Sequence, residues 1–272
     1  MSTTISPSVS NPYNRLVLNA TCVYITAFLL SELLHELAHA LMAVVLGGQP
    51  VLYNTSVRNL DSLADSKQVL VALAGPVFSL VQGVVVLAFL RRSRATGPMA
   101  LFALFFGAFG VINFLGYLMI TPFVPYGDFG QVAASWQLPQ LLLLGVAVAA
   151  GIILTISVRR MAPLFMRFVP TEVATPATRV AKGRMVRALI AWPWLIGSVV
   201  ITLLSWPLPT FASFLVAPMG SMVLGTAWGA AMRQPELPGS VAPAIFRWSW
   251  GAVVVLVLTA VLFRSLQNGV SL

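Results

Sequence analysis

Apolar residues run along this chain in long blocks, with little of the two-residue or four-residue rhythm of a half-buried strand or helix. Seven blocks, residues 16–46, 69–90, 99–120, 138–158, 185–205, 211–232 and 244–263, are long enough to cross a bilayer as helices. A crossing takes about 20 residues, because the hydrocarbon core is about 30 Å thick and a helix rises about 1.5 Å per residue. The pattern therefore predicts an all-α, polytopic transmembrane helix bundle of about seven spans. Between the first two spans, residues 51–60 alternate loosely, which predicts a short β-hairpin or strand edge.

Composition strengthens this reading. Of 272 residues, 58% are hydrophobic and 8% are charged, with mean hydropathy +0.91. A water-facing surface needs about a quarter to a third of its residues charged, so a soluble globule is excluded. Disorder and a disulfide scaffold are excluded too, the single cysteine, Cys22, lying in an apolar run. The net charge of +9 would suit nucleic acid only on a soluble basic face, which no stretch supplies, so nucleic acid is not an expected partner. The charge instead reports topology. Of the Lys and Arg residues between the predicted spans, 13 fall on one side and only Arg58, Lys67 and Arg264 on the other. Under the positive-inside rule the N-terminus is cytoplasmic and the C-terminus outside. Residues 1–10 are polar without a basic n-region, and the N-terminus is taken as mature. Trp192, Trp194, Trp206, Trp248 and Trp250 fall at predicted span ends, as interfacial anchors. The basic loop 159–184 either attracts anionic membrane lipid or simply fixes topology. The expected location is a multi-pass site in the cytoplasmic membrane of a prokaryote.

Ionisable groups inside a membrane cost about 2.5–3.5 kcal/mol each at a helix centre, so they mark candidate chemistry. Asp61, Asp65, Glu172 and Glu236 lie in loops, which leaves Glu32, Glu36 and Asp128 in or beside spans. Both histidines of the protein, His35 and His39, share the first span with two of these acids, reading His35-Glu36-Leu37-Ala38-His39. Histidines at i and i+4 point to one helix face and can reach one Zn2+ ion, and the acid between them can act as general base. The plain alternative is a histidine pair hydrogen-bonded within the bundle. A catalytic zinc usually takes three protein ligands, and Asp128 is the remaining acid near a span. It follows Thr121-Pro122-Phe123-Val124-Pro125-Tyr126-Gly127, where two prolines interrupt helix and let irregular backbone line a polar cavity. An exposed turn aspartate is the alternative there. Glu32, one turn before His35, either orients a ligand imidazole, lines a water path or caps structure.

Taken together, these residues resemble the site-2 protease family of intramembrane zinc metalloproteases. The family carries His-Glu-x-x-His on one core helix and, later, a Pro-containing segment ending in Asp-Gly whose Asp is the third ligand. Pro122-x-x-Pro125 followed by Asp128 looks like that second motif, and Leu73-Ala74-Gly75-Pro76 resembles the family's Ala-Gly-Pro turn. The family often places Asn shortly before the prolines to hold substrate or oxyanion; here that position is near Met119, and Asn113 is the nearest candidate. Phe129 stands where Gly is expected. The resemblance implies residues 1–137 as a metalloprotease-like core of three spans plus the Pro-rich segment, and 138–272 as a four-span accessory region. It implies metal ligands His35, His39 and Asp128, with Glu36 as catalytic base, cutting a transmembrane protein substrate. It also implies a strand edge that holds unwound substrate, near residues 51–60. Members commonly open toward the cytosol, whereas the charge count puts Asp128 outside. Two other readings stay open: a zinc hydrolase acting on a lipid or small amphiphile, and a non-catalytic metal-binding transporter or assembly partner.

Overall fold

The computed structural model describes residues 12–170, 179–207, 217–234, 245 and 247–272. It is an all-α helical bundle with one small sheet. In chain order come α1 (Pro12–Val45), β1 (Pro50–Leu52), β2 (Val57–Asn59), α2 (Asp65–Arg92), α3 (Pro98–Ile120), α4 (Asp128–Ser135), α5 (Gln140–Arg159) and α6 (Ala162–Met166). After these follow α7 (Arg179–Leu189), α8 (Ala191–Leu204), α9 (Leu224–Arg233), α10 (Trp250–Ser265) and β3 (Val270–Ser271). Among the described residues six helical stretches are long and apolar enough to span a membrane, so this is a multi-pass membrane protein. Of the sixth predicted span, 211–232, residues 211–216 lie outside the described set, as do the loop acids Glu172 and Glu236.

The contacts at each end of the bundle show how often the chain changes ends. At the basic end, the Arg167 guanidinium donates to the Leu90 and Ser93 carbonyls at 2.9 and 2.8 Å, capping the last turn of α2. The same end holds Lys182, whose Nζ donates to the Gln234 carbonyl at 2.7 Å. A cation at a helix C-terminus meets both free carbonyls and the negative end of the dipole. At the opposite end Arg264 donates to Leu204 and Trp206, and the β-hairpin, α4 and β3 gather. Trp206 thus stands at the hairpin end and Gln234 at the basic end.

Helix α1 is the axis of the fold, packed against α2, α3, α8 and α10, and one hydrophobic core runs through both halves of the chain. Small residues bring α2 and α3 close: a Cβ on Gly83 would stand 2.7 Å from the Val111 backbone nitrogen. At its C-terminus α1 stops in a Schellman motif, with Gly47 at φ +82, Gly47 N–H donating to Val44 and Gly48 N–H to Ala43. Only glycine takes that backbone conformation without strain, and it turns the chain sharply into β1.

The hairpin expected between the first two spans is present, with Val51 opposite Arg58 and a tight turn closed by Tyr53 N–H to Ser56. A third strand, β3, joins it from the C-terminal end, pairing Val51 with Ser271 and Leu52 with Val270. The sheet order is β2-β1-β3, so β3 covers the outer edge of β1 and the outer edge of β2 has no strand partner among the described residues.

Candidate metal centre

The first motif behaves as its spacing requires. His35 and His39, four residues apart on α1, present Nε2 atoms 3.0 Å from one another, with side chains 1% and 7% exposed. Asp128 comes from 93 residues beyond His35. Its Oδ2 lies 3.0 Å from His35 Nε2 and 3.4 Å from His39 Nε2. Two atoms about 2.0–2.2 Å from one tetrahedral ion stand roughly 3.3 Å apart, so the three separations are those of a ligand set. His35, His39 and Asp128 form a group that could hold a metal ion.

The protonation chemistry agrees. His39 Nδ1–H donates to the Val71 carbonyl at 2.6 Å, which leaves Nε2 of the neutral ring as a lone pair. His35 Nδ1 is hydrogen-bonded to Ser79 Oγ at 3.0 Å. With both rings neutral and protonated on Nδ1, three acceptor atoms converge on one point, where a single proton can bridge only two of them and a cation can satisfy all three. With no cation present, the imidazoles can instead carry protons on Nε2: burial alone would raise the Asp128 carboxyl, but hydrogen bonds donated by those rings outweigh that and hold it at about 2.

The room for an ion comes from Gly75. A Cβ there would collide with His39 Nε2 and lie 2.7 Å from His35 Nε2, so the hydrogen of Gly75 leaves open the space both imidazoles face. The next residue, Pro76, cannot donate to Ala72 in the turn that also carries the Val71 carbonyl.

Asp128 is placed by local chemistry. After α3 ends, Phe123 and Val124 N–H groups both bond to the Ile120 carbonyl, and Gly127 N–H to Val124, winding the two-proline segment into turns. Asp128 is then the first residue of α4, where a carboxylate suits the positive end of the helix dipole. Phe129 packs edge-on against Phe114 of α3, with centroids 5.5 Å apart, and α4 packs on α2. Together these contacts aim Asp128 at the histidines.

Glu36 is 6% exposed and borders a cavity of about 580 Å³, together with His39, Asp128, Tyr117 and Thr55, Ser56, Val57 and Asn59 of the hairpin. The carboxylate of Glu36 makes no hydrogen bond to another described residue. A base beside a metal site needs that freedom.

Glu32 and Asn113 sit apart from the imidazole nitrogens and bond to each other, Asn113 Nδ2 donating to Glu32 Oε1 at 3.2 Å. The groups bonded at Nδ1 to the two imidazole rings are Ser79 and the Val71 carbonyl, which the sequence reading did not single out. A signal for them exists: Val71, Gly75 and Ser79 recur every four residues on α2, a stripe facing the polar side of α1.

Comparison with known proteins finds no match for this chain among protein-family models, curated proteins or solved structures.

Proposed function

We propose that this protein is a membrane-embedded zinc endopeptidase that hydrolyses peptide bonds in or near transmembrane segments of another membrane protein. The observation carrying this reading is that Glu36, an acid without a hydrogen-bond partner among the described residues, opens with His39 and Asp128 into one cavity whose wall includes a hairpin. Two nitrogens and a carboxylate oxygen are the donor set of catalytic zinc hydrolases. Zinc, when bound, supplies Lewis acidity, making water a nucleophile near neutral pH and polarising a carbonyl.

The residues of the chain divide the remaining work. Ser79 and the Val71 carbonyl hold the two imidazoles with their Nε2 atoms turned inward. Glu36 takes a proton from the attacking water and passes it to the leaving amine nitrogen. The edge of β2, without a strand partner among the described residues, offers backbone N–H and C=O groups to an unwound substrate segment, which a spanning helix must become before its amides are accessible. That edge favours a peptide over a lipid, whose ester has no repeating backbone to pair. The site's kinship in pattern is with the site-2 protease family, and the surrounding lipid is its other partner.

A comparison of membrane proteomes from cells making the native chain and the Glu36→Gln variant tests this. New protein termini beside transmembrane segments are expected with the native chain alone. Identical sets of termini would overturn the reading, and a difference confined to lipids would replace it with lipid hydrolysis.

Orientation is tested separately. We propose, from the positive-inside rule, that the hairpin end faces away from the cytoplasm of a prokaryotic cell. In a Cys22→Ser background, a cysteine at Ser62 is expected to react with an impermeant thiol reagent from outside, and one at Ala95 to stay unlabelled. The reverse pattern would invert the topology.

A further inference from the structure

Hydrolysis at the proposed site develops negative charge on the scissile carbonyl oxygen, and peptidases meet that charge with a fixed hydrogen-bond donor. Asn113 directs one amide N–H to Glu32 at 3.2 Å and does not border the cavity. Tyr117 stands one turn further along the same helix. Its ring stacks on the His35 imidazole, with centroids 5.2 Å apart and planes 10° from parallel, and it borders the cavity with Glu36, His39 and Asp128. Its hydroxyl has no hydrogen-bond partner among the described residues. Other donors of the cavity lie on the hairpin, on the 122–127 turns or on groups bonded elsewhere: Gln68 donates to Leu63 and Gln131 to Tyr126. Tyr117 is the one in face-to-face contact with a ligand imidazole.

Resting on the peptidase reading, we propose that the Tyr117 hydroxyl is the donor that stabilises the oxyanion formed when water adds to the scissile carbonyl. The water oxygen bonds to the carbonyl carbon, and the π pair moves onto the carbonyl oxygen, which accepts the Tyr117 O–H. The proton leaving the water goes to Glu36. On collapse the carbonyl re-forms, the C–N bond breaks, and the amine nitrogen takes the proton from Glu36. The phenol keeps its own proton throughout. A tyrosine suits the task because the stacked ring has two side-chain torsions, both restrained by the imidazole, so the donor is in place before charge appears.

Tyr117→Phe keeps the stacked ring and removes only the hydroxyl. Two probes bind the purified, metal-loaded protein: an N-phosphoryl-leucyl peptide, whose tetrahedral anionic group imitates the oxyanion, and the same peptide with an acetyl group in its place. In Tyr117→Phe the Kd of the phosphoryl peptide is expected to rise by about 10²-fold, the size of effect seen when one oxyanion donor is removed. The acetyl peptide should bind as before, and metal content should be unchanged. An unchanged Kd for the phosphoryl peptide would overturn the assignment, as would loss of metal, which would make Tyr117 a support for His35. A weakened phosphoryl complex in Asn113→Ala but not in Tyr117→Phe would move the role to Asn113. If Tyr117→Phe discriminates between the probes as expected while native membranes yield no new termini, the donor assignment stands and the peptidase reading alone falls.

Discussion

Gly75→Ala is expected to abolish metal binding at the proposed centre while leaving the bundle folded. The added methyl would occupy the space where His35 and His39 turn their Nε2 atoms together, colliding with one and standing 2.7 Å from the other. Neither ring can retreat cheaply, since His39 is tied to the Val71 carbonyl at 2.6 Å and His35 to Ser79 at 3.0 Å. Swinging either imidazole away leaves a buried polar group without its partner, at about 1–3 kcal/mol. Alanine is also the better helix former, so α2 itself gains. The measurement is metal per chain against helical content: metal should fall below about a tenth of the native level, with circular dichroism unchanged, an effect at least as large as the roughly 10- to 100-fold cost of losing an orienting partner. Asp128→Ala should weaken metal binding comparably, whereas Asp61→Ala and Asp65→Ala, at the same end of the bundle, should leave it intact. Native metal content in Gly75→Ala would show that the ion, if any, sits elsewhere.

Glu36→Gln separates chemistry from ligation. Glutamine has nearly the same shape, and Glu36 is outside the group formed by His35, His39 and Asp128, so metal content should stay at the native level. What disappears is the proton acceptor, because an amide cannot take the proton of the attacking water. Turnover of a cleaved membrane substrate in liposomes should drop by about 10³- to 10⁴-fold. Full turnover would remove Glu36 from the mechanism, and loss of metal would make it a ligand.

Both predictions combine what local pattern shows with what packing shows. The chain's sequence determines that it lives in a membrane, because block length and mean hydropathy are set by the thickness of hydrocarbon that each helix must cross. It determines that His35, Glu36 and His39 share one helix surface, since a helix turns every 3.6 residues whatever surrounds it. The hairpin is legible for a similar reason: the loose alternation of residues 51–60 follows a helix stop at Gly47 and Gly48. Two cations of the basic region, Arg167 and Lys182, each meet carbonyls at a helix C-terminus.

Tertiary structure decides which distant surfaces meet. In a soluble protein the apolar face of each helix announces the core, but here lipid-facing and core-facing residues are both apolar, and the pattern does not tell them apart. Leu87 is buried while Phe89, two residues on, is 73% exposed, and nothing in their chemistry separates them. For that reason Val71 and Ser79, on either side of the Ala-Gly-Pro segment, read as ordinary membrane helix until they are seen against His35 and His39. The pairing of Asn113 with Glu32, the stacking of Tyr117 on His35 and the closure of β3 onto β1 likewise depend on where helices cross. Asp128 lies between the two cases: its chemistry and its prolines are in the sequence, but its 3.0 Å approach to His35 exists only because α4 folds back across α2 and is held by Phe129 against Phe114. Local periodicity is written in consecutive residues, whereas a three-ligand site is made by the crossing of helices far apart in the chain.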